Sequence, residues 1–283
     1  MTVRALFVSD LHGRAGRYLK LMDAIRAERP AAVLLGGDLL PAGTLASDGS
    51  PFLSGWLGPR LAALRRELGA DYPRALVIFG NDDPRSQEAA LAELAALGLV
   101  EPVHARCVRV QGIPVFGYAC VPPTPFALKD WERYDVSRYT DPGSVSPEEG
   151  QRSVPVDSAE ARFSTIASEL EALAGNMDVS GAVFLFHAPP HRTALDRAAL
   201  DGVEVDHAPL DVHIGSIAIR RFIEARQPRL TLHGHVHESA RITGAWRERI
   251  GRTQCLSAAH DGPELALVRV DLERPEGATR ELL

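Results

Sequence analysis

Five short strand-like runs, four of them continuously apolar, punctuate the chain, and each ends in polar residues able to do chemistry. Residues 5–8 are continuously apolar, as in a strand covered on both faces. Ser9 closes that run, and the chain turns through Asp10-Leu11-His12-Gly13-Arg14. Residues 15–29 then carry apolar side chains at helical spacing (Leu19, Met22, Ile25), with Pro30 just beyond. The second run, 32–35, meets Gly36-Gly37-Asp38. Residues 41–59 are rich in Pro, Gly and Ser and read as an excursion, followed by a helix over 60–68. The third run, 75–79, ends in Gly80-Asn81-Asp82-Asp83-Pro84, and 86–97 is a further amphipathic helix. Strand and helix alternate three times, which predicts a largely parallel sheet with helices on its faces. In such sheets ligands gather at the carboxyl ends of the strands, where Asp10, His12, Asp38 and Asn81 all fall.

The pattern then changes. Residues 107–110 and 113–119 predict strands joined tightly at Gln111-Gly112. From 121 to 157 the chain is polar and proline-broken, with Trp131, Tyr134 and Tyr139 among charges. So long a stretch without regular structure is usually functional or mobile. It reads either as a flap beside a site or as a surface insertion. A helix is expected over 158–173, then the fourth run, 182–186, ending in His187-Ala188-Pro189-Pro190-His191-Arg192. Ser216 suits the N-cap of a helix reaching Arg226, whose N-terminus could help hold an anion. The fifth run, 229–232, opens His233-Gly234-His235-Val236-His237. Runs near 241–243, 253–257 and 265–271 predict strands of a second sheet.

Composition narrows the function classes. The 283 residues carry a formal charge of −6 without a marked Lys/Arg run, which argues against a broad nucleic-acid footprint. Cys107, Cys120 and Cys255 have no CxxC spacing, so neither a disulfide framework nor a zinc finger is indicated. No apolar run is long enough to span a bilayer, no secretory leader is evident, and a cytoplasmic protein is the expectation.

Three of the ten histidines lie within five residues, at 233, 235 and 237. On extended backbone His235 and His237 would point to one side and converge. Neutral imidazole is the commonest side-chain metal ligand. Each polar residue alone has an ordinary explanation as a turn or cap residue. Their recurrence after one apolar strand after another is what points to a site.

In order, Asp10-x-His12, Gly37-Asp38, Gly80-Asn81, the strand-terminal His187 and Gly234-His235-x-His237 resemble the calcineurin-like metallophosphoesterase superfamily. Gly-Asn-Asp-Asp-Pro and Phe-His-Ala-Pro-Pro look like its Icc-related bacterial and archaeal branch. The resemblance spans nearly the whole chain. It implies a four-layer α-β-β-α sandwich, two mixed sheets packed face to face and flanked by helices, as a single domain over 1–283. It also implies two divalent metal ions. Asp10, His12 and His237 would hold one; Asn81, His187 and His235 the other; Asp38 would bridge them. Manganese is the first expectation, and iron, zinc, nickel or cobalt suit the same ligands. The implied activity is hydrolysis of small-molecule phosphate esters by a metal-bridging water or hydroxide.

One position departs from the family pattern. Histidine commonly follows the Asn of the Gly-Asn motif, contacting phosphate and protonating the leaving group; here Asp82 stands there. A carboxylic acid titrates near pH ~4 and would repel a dianion, so diesters are expected over monoesters. Asp82 and Asp83 are the catalytic candidates, with the role of Asp83 open. Arg14, His191, Arg192 and His213 are substrate-binding candidates. The alternative is a binding or regulatory protein that keeps the fold with weak catalysis. An amide or lactam hydrolase fits poorly, because His-x-His comes late and continues Glu238-Ser239. The sequence leaves oligomer formation open.

Overall fold

The computed structural model describes residues 2–283. The first half builds β1 (Arg4–Val8), α1 (Ala15–Glu28), β2 (Ala32–Gly36), α2 (Gly58–Leu68), β3 (Arg74–Ile78), α3 (Glu88–Ala96) and β4 (Glu101–Pro102). Then come β5 (Arg106–Val110), β6 (Ile113–Tyr118), α4 (Ser158–Phe163), α5 (Ile166–Ala174) and β7 (Val183–Phe186). A short hairpin, β8 (Glu204–Val205) with β9 (Ala208–Pro209), precedes α6 (Ile217–Arg226) and β10 (Leu230–His233). The chain ends with α7 (Ser239–Thr243), β11 (Arg247–Ile250), β12 (Thr253–Ser257), β13 (Ala266–Asp271) and β14 (Thr279–Leu282).

Two six-stranded mixed sheets result, in the orders β14-β13-β1-β2-β3-β4 and β11-β12-β10-β7-β6-β5. The centres, β1-β2-β3 and β12-β10-β7-β6, are parallel. Every residue of β2 and β7 is buried, as expected of strands covered on both faces. β2 lies against β7 and β3 against β6, so the sheets meet face to face. Helices flank them: Leu21 and Ile25 of α1 and Leu91 of α3 share an apolar space with Val33 and Val77, while Phe222 of α6 packs on Phe184 and Phe186. This is the α/β sandwich the motifs implied.

Several elements differ from the sequence reading. The helix expected over 158–173 is two, broken at Ser164 and restarted by a capping box between Thr165 and Ser168. Residues 241–243 lie in helix α7, not a strand; Gly244 ends it at φ 73, and the strand begins at Arg247. Regular backbone also starts earlier than expected before α2, as a wide helical turn over Phe52–Leu57 inside the 41–59 excursion. β4, the β8-β9 hairpin and β14 were missed, being too short or too charged to show an apolar pattern.

Residues 121–157 contain neither helix nor regular strand, yet they are pinned along their length. Isolated bridges join Val121 to Glu132, Leu128 to Gln151 and Tyr134 to Thr165. Lys129, Asp130 and Glu132 are fully buried. Lys129 Nζ donates to Glu132 and to the Thr124 carbonyl, and Glu132 also accepts from Thr124 N and Oγ1. Asp130 accepts from Arg85 N at 2.7 Å, just past the Asn81 turn. At the other end Asp135 accepts from Ser216 Oγ and Ile217 N, both at 2.6 Å, and from Ala218 N at 3.1 Å. The N-terminus of α6, expected to be free for an anion, therefore already holds one from this strap.

Candidate metal centre

The turns after β1, β2 and β10 bend sharply. Asp10 (φ 57), His12 (φ 46), Asp38 (φ 53) and His235 (φ 73) all occupy the left-handed region, which costs non-glycine residues energy and persists only where surroundings impose it. Here backbone bonds between turns impose it: Asp10 N donates to Gly37 O at 2.9 Å and His12 N to Asp38 O at 2.8 Å. The glycines allow the approach. A Cβ on Gly80 would strike Asp38 Oδ1 and His187 Nε2, and one on Gly234 would strike Ser9 Oγ.

Two groups of ligand-type atoms converge. Asp10, His12, Asp38 and His237 form one, Asp38, His187 and His235 the other, each with atoms within 4.8 Å of one another. Asp38 belongs to both. Asp10 Oδ1 lies 3.2 Å from His237 Nε2, and His12 Nε2 is 3.2 Å from that same nitrogen. In the second group His187 Nε2 is 3.3 Å from Asp38 Oδ2 and 3.2 Å from Asn81 Oδ1, which brings the amide oxygen in. His187 Nδ1 donates to Gly36 O at 2.7 Å, so that in its neutral form the ring would present Nε2 to the centre as a ligand. His235 and His237 do not converge on one point, as extended backbone would require. The left-handed His235 sends them to different groups.

The electrostatics ask for cations. Burial alone would raise the Asp10 carboxyl; the hydrogen bond and charge of His237, with His187 and His12, more than offset it, and Asp10 titrates below its usual range. Asp38 is also lowered, because His187 outweighs its burial. Burial would lower His187, but Asp38 and Asp10 lift it to about 10. Asp10 Oδ2 is buried without a hydrogen-bond partner. A buried, unpartnered carboxylate oxygen among imidazole nitrogens, carboxylates and an amide oxygen fits divalent metals and needs no thiolate.

The other candidates stand outside the two converging groups. Asp82 is half exposed, with Oδ2 3.7 Å from His12 Nδ1. Asp83 is fully buried and its carboxylate is taken up by backbone: it accepts from Leu39 N, Leu40 N and Gly80 N at 2.8–3.1 Å. Burial and Asp38 push it up to about 7 against the pull of those amides. It is enclosed and ties two turns together, with its carboxylate oxygens on backbone amides. Arg14 Nη1 donates to Gly262 O at 3.0 Å. His191 pairs with Asp211 at 3.5 Å and His213 with Asp196 at 2.8 Å, both within the segment that joins β7 to α6. Arg192 is exposed on left-handed backbone at φ 54. None of these four joins the converging groups.

Sequence reasoning passed over two supporting residues. Arg17, buried in α1, donates to Asp10 O and to Gly262 O, holding the strained Asp10 turn from behind. His233 is buried on β10, with Nδ1 2.9 Å from Ala188 O and Nε2 2.7 Å from Thr231 Oγ1, and fixes the backbone after His187. The signal for Arg17 was a charge on the apolar side of α1, one turn before Leu21.

The family sequence model for calcineurin-like phosphoesterases matches residues 3–239, and the chain belongs to that family. Its members are hydrolases of phosphate esters that bind divalent metals. Among curated proteins, none matches the chain in sequence. Solved structures share the fold at low identity. TT1561 of Thermus thermophilus superposes with TM-score 0.59 at 18% identity, over 100% of this chain and 99% of that one. A dimetal phosphatase from Danio rerio gives 0.54 at 14% identity, over 100% and 96%. Phosphopantetheinyl hydrolase from Mycobacterium tuberculosis gives 0.50 at 14% identity, over 92% and 90%.

Proposed function

We propose that the protein is a two-metal-dependent phosphoesterase acting on small-molecule phosphate esters, and on diesters in preference to monoesters. The observation that carries the reading is Asp38, one carboxylate common to two groups of converging ligand atoms. Asp10, His12 and His237 would complete one position; Asn81, His187 and His235 the other. Two divalent ions bound there supply Lewis acidity to a phosphate ester and lower the pKa of water. The chain's own residues set the geometry: the Gly36 carbonyl fixes the His187 tautomer, and the left-handed turns aim the carboxylates. The three cysteines are free, as suits a reducing compartment such as the cytoplasm.

Support for diesters comes from Asp82. Its half-exposed carboxylate flanks the centre where the family commonly has a histidine. Burial and the Asp38 charge raise its carboxyl above the usual range; in its ionised form it repels a dianionic monoester more than a monoanionic diester. The same departure favours a second reading, a fold kept for binding. The test supplies Mn²⁺ and compares bis(p-nitrophenyl) phosphate with p-nitrophenyl phosphate, using Asp38→Asn as the control. Higher kcat/KM for the bis-ester, abolished by Asp38→Asn, is expected. Faster monoester turnover overturns the preference, and two bound metals without turnover on any ester favours the binding reading.

A further inference from the structure

This inference concerns the side chain of Asp82 and rests on the two-metal reading. We propose that Asp82 is a positioning residue for both metal sites, and that it does not protonate the leaving group. Asp82 Oδ1 accepts from Asn81 Nδ2 at 3.1 Å. Its other oxygen, Oδ2, faces His12 Nδ1 at 3.7 Å. The Asp82 amide donates to Asp38 Oδ1 at 2.9 Å. One residue thus reaches a ligand candidate of each group and the one they share.

The chemistry of those partners gives the contacts direction. An asparagine amide has an oxygen end that attracts a cation and an NH2 end that repels it. With Nδ2 held by Asp82, Oδ1 is turned toward His187 Nε2, at 3.2 Å. Without that acceptor the amide is free to flip and present the wrong end. His12 reaches the first group through Nε2, 3.2 Å from His237 Nε2, so its proton must sit on Nδ1. A carboxylate 3.7 Å from Nδ1, beyond direct hydrogen-bond reach, favours that tautomer through its charge. A neutral histidine at position 82 has only one acceptor and could not serve both neighbours. Aspartate here therefore exchanges a proton donor for firmer metal retention.

The test is calorimetric titration of the metal-free protein with Mn²⁺, without substrate. Asp82→Ala is expected to weaken both binding steps by roughly 10–100-fold, the usual effect of losing an outer partner of a ligand. Asp82→Asn keeps one acceptor for Asn81, so one step should recover toward wild type while the other stays weak. A purely structural role would lower the melting temperature of the metal-free protein without separating the two steps. Unchanged Mn²⁺ affinities in Asp82→Ala, with turnover lost, overturn the proposal and make Asp82 a substrate contact. If Asp82→Ala does not fold, Asp82→Asn decides, and wild-type affinity at both steps overturns it. Wild-type protein that binds no Mn²⁺ removes the functional reading and this inference together; bound metals that the variants leave unaltered remove this inference alone.

Discussion

A methyl group at Gly80 would collide with Asp38 Oδ1 and His187 Nε2, two atoms that face the centre. Gly80→Ala should therefore displace both proposed metal positions while leaving the sandwich intact. Loss of Mn²⁺ uptake in calorimetry with an unchanged far-UV circular dichroism spectrum is the expected pair of results. Seven ligand candidates could be picked out because each follows an apolar strand, where pattern and chemistry coincide. Arg17 and the role of Asp83 could not, because their work is on backbone atoms of distant turns, and a contact between α1 and the 260–262 segment leaves no local trace. His104 is a residue-scale case away from the centre. Its Nδ1 accepts from Ala119 N at 3.0 Å, and its ring meets Trp131 edge-on at 4.9 Å. Burial, then the charges of Arg133 and Arg85, push it down to about 3. A histidine lowered on folding contributes fully above its unfolded value near 6.5, and that stability is lost as pH falls toward 3. At pH 5 the loss is about 2 kcal/mol. His104→Asn retains an acceptor and removes the titration, so its melting temperature should fall less between pH 7.5 and pH 5 than wild type's.

Among the elements, the strap over 121–157 departs furthest from what the sequence suggested. Its polar composition reads as a flap or a surface insertion, whereas Lys129 and Glu132 are buried together. Pairing of two charges three residues apart is a local pattern; their burial depends on Thr124 and on chain that returns at Gln151. Removing one partner leaves the other charged and enclosed. Lys129→Met should cost about 3–5 kcal/mol in urea unfolding, and Lys129→Met with Glu132→Leu markedly less than the sum of the two single changes. Asp135 tests the far end of the strap. Asp135→Ala strips three donors at the start of α6 of their acceptor and should cost about 1–3 kcal/mol. Proteolysis should then open the strap around 137–145 before it touches either sheet. The helices were read more easily than their ends: α1 and α6 follow their apolar spacing, but the break at Ser164 rests on the Thr165 cap.

For the molecule as a whole, the placement of the candidates matters more than their number. Asp10, His12, Asp38 and Asn81 stand at the strand ends of one sheet, and His187, His235 and His237 at those of the other. Cations held between them would cross-link the sheets at a single end. The protein itself ties those strand ends through His187 Nδ1 to Gly36 O and His235 N to Asp10 Oδ1, while the contacts of His187 with Asp38 and of His237 with Asp10 join ligand candidates that cations would draw together. The sheets also share one apolar cluster, drawing on Val33, Leu34, Phe116 and Phe184, so the fold does not depend on metal for its core. Chelation should accordingly leave a folded protein with a lower melting temperature, restored by Mn²⁺ with the logarithm of its excess over the dissociation constant. The loss should also be uneven. Without cations, the buried carboxylates and left-handed turns at one end lose the partners that hold them, whereas β5 and β14 at the outer edges are indifferent. Hydrogen exchange after EDTA treatment is expected to quicken at residues 9–13, 36–40, 80–83 and 233–237 and to stay constant in the edge strands. Uniform acceleration throughout both sheets would mean that metal supports the core itself, and no change anywhere would mean that the two sheets are joined without it.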